Sequence, residues 1–520
     1  MDPEVLGSTP SPGTMFHARG GFRRAPDEAK RSGTRPGERV LILPVVIPQT
    51  LKGFQDLLPE AMGIREAVLA IIRDTYARFG FQPLDTPVLE RLDTLTGATE
   101  GETGKQIFTL ETPESEAAAL RFDLTVPFAR VVSQYRDRIR LPFRRCHIGP
   151  VFRADKPGPG RFRQFTQCDI DIAGAATVDA DAEVIATLCE AFRALGLGGT
   201  PPKYRVRVSS RKLVDALLRG YGVTDPATLK HTLRVMDKLQ KVGLDNVRLE
   251  LGPGRVDDSG DPIPGVGLES ALIDRIADFV GVTAPDRASM LSLLRDRLPA
   301  SDLAHEALEE MAELDRCLHA LGLTEEEVCF DPSLTRGLDY YTGPVLEVVL
   351  PDAPEFGSVG GGGRYDGLCD RFLEEPVPAT GASIGLDRLV AALTRLGVAP
   401  APTGPIHACV VTVGRVPREE VLRLARELRA QGLNVVTFPG AKKGLGAQLS
   451  LADHYGIPAA VVLGEDELAK GMVGVKDLAM GKAIRENIAD HESYRRAGRE
   501  AQITVPRNEA AERVRRITAG

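Results

Sequence analysis

The sequence predicts an α+β protein. It has an antiparallel sheet flanked by helices, a mostly helical insertion, and a small α/β domain at the C-terminal side. Three observations carry that prediction. Residues 143–153 and 161–172 read as two strands joined by the Pro/Gly-rich ADKPGPG, which gives an antiparallel pair with a charged loop at its tip. Residues from about 211 to 322 are mostly at helical spacing. Beyond LGVAPAPTGP (396–405), which reads as a linker, strand and helix patterns alternate, as in a mostly parallel sheet.

In chain order, residues 1–48 are rich in Gly, Pro, Ser and Arg and read as a disordered extension. Asp2, Glu4 and the missing apolar stretch argue against a signal peptide, and Asp27, Glu28 and Glu38 interrupt the basic run that an organellar presequence needs. Ile64, Val68, Ile71, Ile72 and Phe79 lie on one helical face, with Gly80 as C-terminal cap. FQPLDTPVLE is extended, with Pro83 and Pro87 as breakers, and LRFDLTVPF (120–128) reads as a strand. Further strands are expected at 204–210 and 345–350, with a Gly/Pro/Asp break at 252–267. The C-terminal elements are strand 407–413, helix 418–430, strand 433–438, helix 443–455 and strand 459–463. The resulting domains are 49–204 with 323–398, the insertion 205–322, and 405–520.

A chain of 520 residues exceeds one core. A net charge of -7 and a pI near 5.8 do not describe a general nucleic-acid binder, so any RNA contact comes from local basic patches. The seven cysteines form no CxxC pair; they read as small buried hydrophobes in a reducing, cytoplasmic setting, without a zinc site. No run of 18 apolar residues predicts a membrane span.

Five groups of residues carry possible chemistry. Arg153, Arg161, Arg163 and Lys156 surround the 154–160 loop. Guanidiniums on adjacent strands suit a polyphosphate, and a solvated hairpin face is the alternative. TRGLDYYTG (335–343) packs an arginine, an acid and two tyrosines together, either to orient a small polar ligand or as an ordinary turn with packed rings. Gly360–Gly363 lacks the Gly-Lys-Ser/Thr of a phosphate loop and points to close packing or close approach of a ligand. In IGLDRLV (384–390), Arg388 opens a helix, where the macrodipole disfavours a cation; a ligand or a plain surface arginine explains it. Of the acids Asp123, Asp169 and Asp171, the last sits between Ile170 and Ile172, and alternation alone places it on an exposed polar face.

Taken in order, these segments resemble histidyl-tRNA synthetases. LKGFQDLLPE resembles the start of that family's catalytic domain, and GFQPLDTPVLE resembles class II motif 1, with Pro87 as its proline. LRFDLTVPFAR is similar to its amino-acid-binding segment, and FRADKPGPGRFRQFTQCDIDIAG to motif 2. LTRGLDYYTG is similar to the histidine-specific signature, and GGGRYDGL and GASIGLDRLV to a later strand and motif 3. The resemblance spans roughly 50–500 and implies a class II synthetase core with a C-terminal anticodon-binding domain.

The resemblance also implies roles. Asp123 and Thr125 would hold the histidine amino group, with Gln167 beside them and Leu124 in the same histidine-binding segment. Arg336 would meet its carboxylate and the α-phosphate, and Asp171 and Tyr341 would bracket the imidazole, with Tyr340 also among the histidine-binding residues. Arg153 would touch the α-phosphate, Asp155, Arg161 and Arg388 would bind the rest of ATP, and Phe165 would stack on adenine, with Arg336 and Arg153 the catalytic pair. ATP and Mg2+ are the implied cofactors; L-histidine, tRNA(His) and a second copy of the chain are the implied partners, with no membrane. Asp155 and Asp387 stand where many members carry Glu. LGEDELAKGMVGVKDL resembles the anticodon-binding segment, where Lys442, Lys443, Lys470 and Lys476 would contact phosphates or simply keep the domain soluble. Two other readings compete. A regulatory paralogue of the ATP phosphoribosyltransferase complex would have lost motif residues and the C-terminal domain; here Arg153, Arg336, Tyr341 and Arg388 are present and an α/β domain follows. An RNA-binding or sensor module on an inactive synthetase fold is opposed by the intact ligand residues.

Overall fold

The computed structural model describes residues 47–96, 106–158, 160–257, 260–335, 340–373, 375–438, 444–478, 480 and 501–518. The chain divides into a short unit, Met1–Gln49, and a large one, Thr50–Gly520, and every helix and strand among the described residues lies in the second. All but the last two residues of the expected extension 1–48 lie outside the described residues.

The large sheet has eight strands: β1 (Gln82–Pro83), β2 (Phe143–Phe152), β3 (Gln164–Ala173), β4 (Arg205–Ser210), β5 (Val328–Phe330), β6 (Pro344–Val349), β7 (Ser358–Arg364) and β8 (Ala379–Gly385), in the order β1-β2-β3-β8-β7-β6-β4-β5. The six strands from β2 to β4 in that order pair antiparallel, and the edge strands β1 and β5 are added parallel. The predicted hairpin is β2–β3, closed by the expected turn, where Gly158 pairs with Arg161. Strand β4, which the sequence reading put at the head of the helical segment, pairs with β6 inside this sheet.

One face of the sheet is apolar. Cys168, Ile170 and Ile172 of β3 pack on α1 (Pro59–Arg78), through Val68, Ile72 and Tyr76, and on α3 (Asp179–Phe192). Between them in sequence lies α2 (Thr125–Gln134). The predicted strand 120–128 therefore ends early: a strand covers only Ala117–Leu120. The reason is local. The Asp123 carboxylate accepts from the Val126 amide at 3.0 Å, and that bond favours a helix start over an extended chain.

Helices predominate from Arg211 to Ala320, and the irregular stretch in their midst is a short hairpin pairing Gly254–Val256 with Pro262–Pro264. The C-terminal sheet comprises β9 (Ala408–Val413), β10 (Val435–Thr437), β11 (Ala459–Gly464), β12 (Met472–Asp477) and β13 (Gln502–Pro506), in the order β10-β9-β11-β12-β13. Its first three strands are parallel as expected, but β12 and β13 add antiparallel, so the sheet is mixed. The predicted helices appear at Arg418–Ala430 and Leu445–His454. Among the described residues no helix is long and apolar enough to cross a membrane.

Candidate active site

The other face of the large sheet carries polar side chains in register. Successive same-face residues of β3 are Phe165, Gln167, Asp169 and Asp171. Opposite them on β2 stand Val151, Gly149, His147 and Arg145; opposite the last three on β8 stand Gly385, Ser383 and Gly381. The row through Asp169 and Ser383 continues to Gly361 and Glu347. Glycines thus form much of the floor. An added Cβ at Gly381 would sit 2.1 Å from Asp171 Oδ1, and one at Gly363 3.0 Å from the Tyr341 ring. Of the two expectations at Gly360–Gly363, these contacts support close packing, and they explain why no side chain stands there.

Above this floor is a cavity of 430 Å³. Asp123, Thr125, Arg153, Asp155, Arg161, Phe165, Gln167, Asp171, Tyr340, Tyr341 and Arg388 all line it. Leu124 does not; its side chain is buried and its carbonyl accepts from Arg145 at 3.0 Å. Arg336, with Gly337–Asp339, lies outside the described residues. Of the basic constellation, Arg153 and Arg161 reach the cavity, whereas Arg163 bonds the Asp155 and Lys52 carbonyls and Lys156 is exposed.

Alternation alone put Asp171 on an exposed face; the structure overturns this, since Asp171 is 2% exposed and Asp169, on the same face, 1%. The polar face of β3 is covered by the chain around the cavity rather than by water. Arg145 lies 2.8 Å from Asp171, and the Tyr365 hydroxyl donates to the other Asp171 oxygen. Burial pushes the Asp169 carboxyl up to about 7; Arg145 pulls it down and Asp171 pushes it further up. Burial likewise raises Asp123, opposed by the Val126 amide and by Arg153. His147 is lowered to about 4 by burial and by Arg145 and Arg121, with Asp85 opposing.

Arg153 projects between two rings, 4.3 Å from the Phe122 centroid and 5.2 Å from that of Phe165, and its Nε donates to the Phe122 carbonyl. A guanidinium held this way is aimed before a ligand arrives. Arg388 is the third residue of α4 (Leu386–Arg395) and donates to the Ser358 carbonyl. Its neighbour Asp387 accepts from Arg65 at 2.8 Å and from the Thr166 amide at 2.7 Å, which ties α4 to α1 and β3. The shorter Asp at 387 therefore still reaches its partners.

Sequence reasoning missed Arg145, Tyr365, Glu347 and Ser383. Tyr365, Glu347 and Ser383 line the cavity and Arg145 lies under it. Only the register reveals them. Arg145 and Asp171 lie far apart in sequence for a turn but directly across one strand pair.

Comparisons with known proteins agree with this geometry. A sequence profile described as histidyl-tRNA synthetase matches residues 53–389, and one described as anticodon binding domain matches 407–517. A histidine–tRNA ligase of Rhizobium meliloti is 40% identical, covering 90% of this chain and 95% of its own. The crystal structure of histidyl-tRNA synthetase from Nostoc sp. PCC 7120 has a TM-score of 0.73 at 30% identity, covering 91% of this chain and all 100% of that one. A Bacillus halodurans structure described as an ATP phosphoribosyltransferase regulatory subunit/histidyl-tRNA synthetase, at 24% identity and a TM-score of 0.64, shares the fold and covers 81% of this chain. With the profile spanning well over half the chain and a relative 40% identical across 90% of it, the protein belongs to the histidyl-tRNA synthetase family.

Proposed function

We propose that the cavity binds L-histidine and ATP side by side and joins them, as the first half of the histidine–tRNA ligase reaction of this family. The observation that carries the reading is the convergence of residues from six separate segments on one 430 Å³ space. Asp123 and Gln167 receive the α-amino group. Asp171 and Tyr341 face the imidazole, whose neutral form has one N–H donor and one acceptor nitrogen. Tyr340 packs edge-on to Tyr341, ring centroids 5.1 Å apart, and holds it in place. Arg153 meets the α-phosphate, Arg161 and Arg388 the outer phosphates, and Phe165 the adenine, with Asp155 at the nucleotide. By the family resemblance, the substrate carboxylate is assigned to Arg336.

The histidine carboxylate attacks the α-phosphorus, the bond to the bridging oxygen breaks, and pyrophosphate leaves with that oxygen. Negative charge builds on the phosphoryl oxygens, where fixed guanidiniums stabilise it without reorganising. Mg2+ takes one or two carboxylates beside substrate phosphates, so Asp155 and Glu347, both at the cavity, would hold it, and it would neutralise phosphate charge there.

Transfer follows when the terminal hydroxyl of tRNA(His) attacks the adenylate carbonyl and AMP leaves. We assign the binding of that tRNA to residues 405–520, the class II core to 49–204 with 323–398, and a clamp on the RNA to the intervening helical segment. Lys470 is exposed and free to contact phosphate; Lys476 is 7% exposed and is withdrawn from that role; Lys442 and Lys443 lie outside the described residues. The working unit is a cytoplasmic homodimer. Leu89 and Leu110 stand on one face of the sheet formed by 89–91, 117–120 and 109–111, exposed at 47% and 43%, beside the motif 1 segment, and a second copy would cover them. Sedimentation of a monomer at micromolar concentration would overturn that part.

Pyrophosphate exchange tests the central reading. Exchange with histidine alone, in a panel of amino acids, is expected. Exchange with none, from folded protein, would favour the regulatory alternative.

A further inference from the structure

The floor beneath the cavity carries more charge than the reaction above uses. Arg145 and Asp171 are opposite each other in the β2–β3 register, as are His147 and Asp169, and all four are at most 2% exposed. The Arg145 guanidinium lies 2.8 Å from Asp171 and 3.8 Å from Asp169, and sits over the Phe128 ring, 4.6 Å from its centroid. Tyr365, 1% exposed, donates to Asp171 Oδ1. One oxygen of Asp171 is thus held by a phenol and the other faces a guanidinium. Among the described residues, Asp171 Oδ2, Asp169 Oδ1 and two Arg145 nitrogens make no hydrogen bond. The guanidinium therefore acts on Asp171 as a charge at contact distance and leaves that oxygen's lone pairs open.

Two buried carboxylates this close repel, and a buried carboxylate without a cation takes up a proton. A protonated Asp171 would present a donor where a ring N–H needs an acceptor. Arg145 opposes that protonation and Tyr365 fixes the direction of the carboxylate. Arg145, Asp169 and Asp171 together carry a net charge of about -1 when both acids are ionised. Without the arginine the same two acids would carry about -2 in a buried space, which they cannot sustain.

We propose that Arg145 and Tyr365 are positioning residues that hold Asp171 as an oriented, ionised acceptor, so that the site selects a five-membered ring donating an N–H. The inference rests on the reading that Asp171 faces the histidine ring. Asp169 is the like charge that makes Arg145 necessary.

The test is pyrophosphate exchange by the full chain with three amino acids. These are histidine, β-(1,2,4-triazol-3-yl)alanine, which keeps a ring N–H, and β-(2-thienyl)alanine, which has none. Arg145→Met is expected to raise KM for histidine and the triazole about tenfold or more, to leave KM for ATP in place, and to narrow the preference over the thiophene. Arg145→Met with Asp169→Asn keeps the net charge of the wild type, and should recover much of the loss and of the stability. Tyr365→Phe should raise the histidine KM by about threefold or more. An unchanged histidine KM in Arg145→Met or in Tyr365→Phe overturns the proposal, as does a fall in kcat alone with every KM constant. An unchanged histidine KM in Asp171→Asn instead overturns the reading of the cavity on which the proposal stands.

Discussion

The central strands of the large sheet and of the C-terminal sheet, β3 and β11, are both buried on both faces, for different reasons. In β11 the residues Ala459–Gly464 are all buried and all apolar or glycine, because apolar clusters cover each side. In β3 the residues from Gln167 to Ala173 are all buried too, yet every second one from Gln167 to Asp171 is polar. One face packs on α1 and α3 and the other underlies the cavity. Alternation in a buried strand therefore marks a site, whereas alternation in a strand on the protein surface marks solvent. The difference is what covers the polar face, which the strand's own sequence does not state.

Five tests sharpen the contrast. The largest effect is expected at Arg153, whose replacement by Ala should lower histidine-dependent exchange by about 10²- to 10³-fold without unfolding the protein. Removal of residues 405–520, whose clusters are separate from the core of the large sheet, should leave exchange in place and abolish aminoacylation. Unchanged aminoacylation of the truncated chain would break the division of labour.

Next come the glycines of the two sheets. Gly381→Ala places a methyl 2.1 Å from Asp171 Oδ1 and 2.6 Å from the Ile170 carbonyl, so strand or carboxylate must shift. A loss of about 1–3 kcal/mol and of exchange is expected, read by denaturant unfolding beside the exchange assay. Gly474→Ala in β12 meets first the end of the Gln502 side chain, which can swing away, and should change neither. Equal effects at the two sites would refute the claim that only the large sheet has a crowded functional floor.

A third comparison uses pH. Glu327, just before β5, accepts from both Arg193 Nε and Nη2 at 2.6 Å and from the Tyr204 hydroxyl at 2.8 Å. Burial works to raise its carboxyl, but Arg193 and Tyr204 outweigh it and hold it at about 2 against an ordinary 4.5. The group is depressed, so its stabilisation is complete above about 4.5 and is lost as pH falls towards 2. Glu327→Gln should cost on the order of 2–3 kcal/mol at neutral pH, and the difference from wild type should vanish in acid. A gap that persists at pH 2 would exclude the ion pair as its source.

The smallest effect is expected in the C-terminal domain, where Arg507 pairs with Glu420 and Glu427 at a more open surface. Arg507→Gln should leave the melting temperature unchanged, because water screens such pairs.

Much of this was legible in the chain itself. The β2–β3 hairpin followed from a Pro/Gly loop between alternating segments, and the first three C-terminal strands and both predicted helices followed from their periodicity. Arg153, Arg161 and Arg388 could be nominated because charge at such positions is conspicuous. The helix beginning at Thr125 was not legible, since LRFDLTVPF suits a strand and only the bond from the Val126 amide to the Asp123 carboxylate turns it. Nor were the antiparallel strands β12 and β13, whose pairing is not set by either strand alone.

Local patterns, turn chemistry and motif spacing are short-range, and the sequence by itself determined them: the fold class, the family resemblance and most of the cavity's lining. Which face of β3 is covered, that Arg145 meets Asp171, and that Tyr365 reaches the same carboxylate were decided by the tertiary structure alone. Those contacts join residues from three strand-borne segments across the sheet, and the energy of a buried charge depends on its neighbours in space, which the order of residues along the chain does not contain.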